Sequence, residues 1–143
     1  MVGEIELPSP EQLKGALSLL KDLPPTLVSM LLTLSTSNGL TKTALSNLYG
    51  YKHFKYLNRL DNLAPLVKRN HRMYLRKGKV VNLITYRVIG WLAEILIHVY
   101  NRYNFKGVVS MGVIVIGDLT ERRRFKVLLI YEIEKIIKRK ENK

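Results

Sequence analysis

Lysine and arginine dominate the chemistry open to this chain, and they are not spread evenly. The 143 residues carry a formal net charge of +13. Residues 39–79 alone hold ten lysines and arginines against one acid, Asp61. Cations at that density attract a polyanion, nucleic acid first and an anionic membrane surface second. The side chains in that stretch suited to such contacts are Lys42, Thr43, Lys52, His53, Lys55, Tyr56, Asn58, Arg59, Lys68, Arg69, His71 and Arg72. Arginine and lysine meet phosphates or guanine, asparagine pairs with adenine, and hydroxyls reach the phosphate backbone.

The remaining polar constellations read as structural. Glu94 and His98 stand four residues apart, the spacing of a helix-face ion pair, and no third ligand accompanies them, so no metal is expected. Arg122-Arg123-Arg124 reads as solvated charge beside an interface, with extra phosphate contacts as the other reading. Lys138-Arg139-Lys140 suits the negative end of a last helix. The chain has no cysteine, no glycine-rich phosphate loop and no nucleophile elbow. Asp61 alone cannot hold the paired metals of a nuclease. The expectation is a protein that is not an enzyme and carries no cofactor.

The elements that must position the basic stretch can be read from caps and periodicity. Ser9 caps a first helix with an inward face of Leu13, Leu17 and Leu20, and Pro24-Pro25 breaks the chain. A second helix spans about 26–37 and stops at Asn38-Gly39. Thr41 caps a short third helix over 42–48. A fourth helix is predicted over 52–63, with Phe54, Leu57, Leu60 and Leu63 turned inward. Residues 66–69 and 72–76 suggest two short strands joined by a turn at Asn70-His71. Residues 80–104 read as one long helix, apolar except for a stripe of Arg87, Glu94, His98 and Asn101. A helix so apolar asks for burial on more than one face, and a second copy of the chain supplies it. Residues 105–117 fit either strand or buried helix. Asp118-Leu119-Thr120-Glu121 resembles a capping box that opens a last helix.

A short helix, a turn, a helix with a basic face and a basic hairpin therefore follow one another over 41–79. This order resembles the winged helix-turn-helix superfamily of transcription regulators. The resemblance is carried by Thr41 to Leu48, Gly50, Lys52 to Leu63 and the wing from Leu66 to Gly78. Helices on both flanks are similar to the MarR-type architecture, and the short wing is nearer the ArsR and PadR types. It implies a mainly α fold with a small β-hairpin wing, a single domain over residues 1–143 with flanking helices in 1–38 and 80–143. It also implies a homodimer through residues 80–104 and 118–140, and double-stranded DNA as partner. Two other functions fit the same module: a sequence-tolerant architectural or replication-associated binder, and a protein-interaction subunit. The acidic N-terminus lacks the pattern of a signal peptide, and charges interrupt the longest apolar run. The expected setting is cytoplasmic, away from membranes.

Overall fold

The second helix, not the expected long fifth one, is the element that water cannot reach. The structure is a computed structural model and describes residues 8–142. Helix α1 spans Pro10–Asp22, α2 Pro25–Ser35 and α3 Lys42–Tyr49. Every residue of α2 from Thr26 to Leu34 is buried. A helix buried on all sides sits at the centre of its domain. Here α2 is enclosed within one chain by helix α5 (Gly90–Arg102), helix α6 (Leu119–Glu141) and strands described below.

Local signals start and stop the first helices. The Ser9 hydroxyl accepts from the Gln12 amide at 3.2 Å, and the Gln12 side chain accepts from the Ser9 amide at 2.8 Å, a reciprocal capping box. The Thr41 hydroxyl accepts from the Ala44 amide and opens α3. Gly39 has φ +117, where a Cβ would also crowd Arg87 and Thr85, so the stop after α2 requires glycine.

Three expectations are corrected. The fourth helix is not a regular α-helix: residues Tyr51–His53 and Asn58–Asn62 wind as 3-10 turns around a four-residue α segment, α4 (Phe54–Leu57). The three-residue spacing of Leu57, Leu60 and Leu63 explains this, because a 3-10 helix repeats every three residues whereas an α-helix would rotate such a row away. Those leucines are buried, but Phe54 is 45% exposed and does not join the inward stripe. The turn is not at Asn70-His71. Strands β1 (Val67–Arg76) and β2 (Lys79–Val88) form one antiparallel hairpin, in which Asn70 faces Thr85 and His71 faces Ile84. Its turn is Lys77-Gly78, both at positive φ, which matches the twist of a tight two-residue hairpin.

The long helix over 80–104 does not exist. Its first half is β2, where Val80, Val81, Ile84, Thr85 and Val88 supply β-branched side chains. Only Gly90–Arg102 is helical. The open segment 105–117 contains strands β3 (Val108–Ser110) and β4 (Val113–Val115), paired as a second, separate hairpin. Asp118 caps α6 through the Thr120 amide, whereas Glu121 pairs with Arg124 at 2.9 Å. The architecture is thus mainly helical with two small antiparallel hairpins. Among the described residues, no helix is long and apolar enough to cross a membrane.

A buried polar network ties the elements to α2. The Tyr49 hydroxyl lies 2.8 Å from the Ser29 hydroxyl and 2.7 Å from that of Thr33, and Thr33 donates to the Ile114 carbonyl at 2.7 Å. Arg122, expected in solvent, is buried instead: it donates to the Ile116 carbonyl at 2.6 Å and stands 4.9 Å from the Tyr49 ring centroid. Tyr49→Phe leaves Ser29 and Thr33 short of a partner and is expected to cost about 1–2 kcal/mol. Thermal unfolding followed by circular dichroism should show a midpoint lower by roughly 3–6 °C. An unchanged midpoint would mean the network contributes nothing.

Candidate nucleic-acid interface

One carboxylate organises the base of the basic region. Asp61 accepts from the Lys42 ammonium at 2.7 Å and from the Tyr86 hydroxyl at 2.7 Å, with the Arg69 guanidinium at 3.6 Å. It thereby joins α3, the 51–62 rod and both strands of the β1–β2 hairpin. The hairpin is anchored there by the chain as well. Leu40 and Tyr86 exchange two backbone hydrogen bonds, of 3.1 and 2.8 Å, and form a bridge beside β2. Lys42 and Arg69 are therefore engaged with Asp61 rather than standing as isolated surface charges. The Lys42 hydrogen bond, followed by that of Tyr86, holds Asp61 below its ordinary carboxylate range, and the same pairing raises Lys42.

The rod carries the second group of candidates. Lys52, Lys55 and Asn58 are exposed, and His53, Tyr56 and Arg59 are half-buried. The His53 and Tyr56 rings stack at 5.9 Å, and the Lys55 ammonium lies 5.3 Å from the Tyr56 centroid. Burial first, then the nearby charges of Arg122, Lys52 and Lys55, push His53 below its usual value. Thr43 is exposed in the first turn of α3.

The hairpin separates its candidates onto two faces. Directly paired residues share a face, and neighbours along a strand alternate. Lys68 and Arg72 thus lie with Arg76, Lys79 and Arg87 on one side; Arg69 and His71 lie on the other with Tyr86 and Ile84. From Asn70 to Val80 every residue is exposed. Between Asp61 and Glu94 the chain contains seven lysines and arginines and no acid. Among the described residues, only Arg69 of these seven forms an ion pair.

Arg76, Lys77, Lys79 and Arg87 are additions to the candidate set. Reading 80–104 as helix hid them, because it removed the partner strand of β1. The signal that could have found them is Lys77-Gly78, a tight-turn pair between two apolar-alternating runs. The other expected pairings fare differently. Glu94 and His98 are both exposed, and no ion pair joins them. Arg124 donates to Glu121 and to the Tyr103 carbonyl and lies 4.2 Å from the Phe105 centroid, which leaves Arg123 as the exposed member of its triplet with no such bonds described. Buried Glu132, missed entirely in the sequence, accepts from Tyr103 and pairs with Arg102 at 3.2 Å, locking α5 to α6.

Compared with models of protein families, with curated proteins and with solved structures, the chain finds no match.

Asp61 binds its proton less tightly folded than unfolded, so its contribution is present above its ordinary value of 3.8 and is lost as pH falls through the lower folded value. Asp61→Asn is expected to lose about 1 kcal/mol near pH 7, a modest figure because the pair is solvent-screened. The gap to wild type should narrow toward about pH 3. Urea unfolding across that range checks this; a gap constant with pH would place the effect outside Asp61 ionisation.

Proposed function

We propose that this chain binds double-stranded DNA as a winged helix-turn-helix regulator, with α3 and the 51–62 rod as the helical pair and β1–β2 as the wing. The observation that carries the reading is the hairpin's charge. Six cations have no acid partner among the described residues, on a hairpin that Asp61 and the Leu40–Tyr86 bridge hold against the two helical elements. Unpaired cations on a rigid support fit a polyanion of fixed shape, and phosphate contacts of this kind release counterions. In this reading the rod offers Lys52, Lys55, Asn58 and Arg59 to a groove, and Lys68, Arg72, Arg76 and Lys79 meet the backbone.

One observation favours a second reading, a sequence-tolerant duplex binder. Base readout in the major groove uses the side chains of a regular helix. The rod has only one four-residue α segment, Phe54–Leu57. Such a segment suits backbone contact better than a long series of base contacts. Pairing of two chains along α5 and α6 would set two basic faces on one duplex. Val127 and Tyr131 of α6 are 65% and 52% exposed, and Trp91 and Ile95 of α5 are half-buried. Sedimentation equilibrium gives the copy number, and a monomer at all concentrations would remove the dimer from the proposal.

Fluorescence anisotropy with labelled duplexes tests the main reading. Log affinity should fall linearly with log salt, and Arg76→Ala with Lys79→Ala should lower the slope by about two. A duplex selected from a random pool should bind on the order of 10³ tighter than random DNA for a specific regulator, and about equally for a tolerant binder. Absence of salt-dependent binding to any duplex defeats both.

His53 offers a further check. Phosphate beside it would favour its charged form, so binding should strengthen as pH falls from about 7.5 to about 5.5, and His53→Gln should flatten that rise. A rise unchanged in His53→Gln would take His53 out of the contact surface.

A further inference from the structure

The outer end of the β1–β2 hairpin carries a feature that phosphate contact does not use. Met73, Leu75 and Val80 are 71%, 74% and 63% exposed. Leu75 and Val80 are cross-strand partners, and Met73 lies on the same face one step closer to the core. Arg76 and Lys79, the next cross-strand pair, lie on the opposite face, and Lys77 lies in the turn, so the tip carries an apolar side and a cationic side within one residue step of each other. Ten residues per strand, at about 3.3 Å each, carry this end roughly 30 Å from the buried base at Val67 and Val88.

The chemistry around the aliphatic side chains limits what can cover them. An apolar groove of another protein would need acidic residues at its rim to meet three adjacent cations. A duplex offers both requirements in one object: phosphates on the groove walls and the apolar faces of stacked base pairs between them. Proteins that enter the minor groove use aliphatic wedges flanked by basic residues in this way, separating a base step and bending the helix. Two-stranded ribbons are among the elements that proteins place in a DNA groove, and the two-residue turn keeps this tip to two strands.

We propose that this tip is a wedge: Leu75 and Val80, backed by Met73, enter a base step and kink the duplex, while Arg76, Lys77 and Lys79 grip the flanking phosphates. The inference rests on the reading of the chain as a duplex binder and adds to it a DNA-bending activity. The favoured substrate is a duplex with a central pyrimidine–purine step, which unstacks most readily, over a stiff A-tract.

Energy transfer between dyes on the two ends of a duplex of roughly 30 base pairs measures the bend, with anisotropy on the same samples measuring binding. Wild type should draw the ends together, more on a central TA step than on an A-tract. L75S combined with V80T should lose most of the bend, with affinity reduced by about tenfold or less and the salt slope kept. L75M should retain the bend. Both positions are exposed, and thermal melts verify that the variants fold. Salt-dependent binding by wild type to a duplex that stays straight overturns the wedge and leaves duplex binding standing. So does a bend unchanged in the double variant. No binding to any duplex overturns the parent reading as well. In a parallel arm, phosphatidylserine–phosphatidylcholine vesicles are offered without DNA. Vesicle binding that needs Leu75 and Val80, together with a bend that does not, reassigns the tip to a lipid surface and overturns the wedge.

Discussion

Helix α2 has no face to give to water, and the rest of the chain is arranged to hide it. Six large aliphatic side chains, Leu27, Val28, Met30, Leu31, Leu32 and Leu34, are at most 1% exposed. At about 2 kcal/mol for each buried side chain, no local propensity competes with the demand to enclose them. Helices α5 and α6 cover α2, and β4 and the inner part of β2 complete the enclosure. Most of the polar groups drawn inside are matched, Tyr49 to Ser29 and Thr33, and Arg122 to a carbonyl and an aromatic face; the Ser46 hydroxyl is the exception among the described residues. A buried polar group without a partner would cost more than its packing returns.

That arrangement separates two jobs. The α2-centred core is mostly apolar, and the largest excess of positive charge lies in residues 42–87, whose leucines reach that core while most of their cations stay on the surface. Asp61 is the electrostatic hinge pin of this division. It binds Lys42 and Tyr86 and lies near Arg69, while among the described residues the other six cations of the hairpin, Lys68 and Arg87 at its base included, have no acid partner. The hairpin's cations therefore stand in two groups, Lys68, Arg69 and Arg87 near its base and Arg76, Lys77 and Lys79 at its tip, with Arg72 between them.

Much of the first third of the fold was legible because its signals are local. Ser9 and Thr41 each cap a helix with their own side chain, as Asp118 does for the last helix, and Gly39 marks a stop that only its backbone freedom allows. The misreadings share a cause. Apolar runs such as Val80 to Val88 look alike in a buried helix and in a strand, and the choice rests on a partner elsewhere in the chain. Strand β2 exists because β1 pairs with it across Lys77-Gly78 and because Leu40 adds a bridge from forty-odd residues away. The candidate contact residues were legible as types and as a cluster. Their grouping was not: Lys68 and Arg69 are neighbours in sequence yet lie on opposite faces of the hairpin.

Composition and order alone established the excess of positive charge, its concentration in one stretch, the absence of cysteine chemistry and the sites of most helix caps. These are properties of single residues or of neighbours within a turn, so no distant contact can alter them. Tertiary structure alone decided that α2 is the buried centre, that 79–88 is strand, that Arg122 is a core residue, and that Asp61 gathers three elements. Each of those depends on burial and pairing between residues far apart in sequence, and burial has no meaning until the chain has closed on itself.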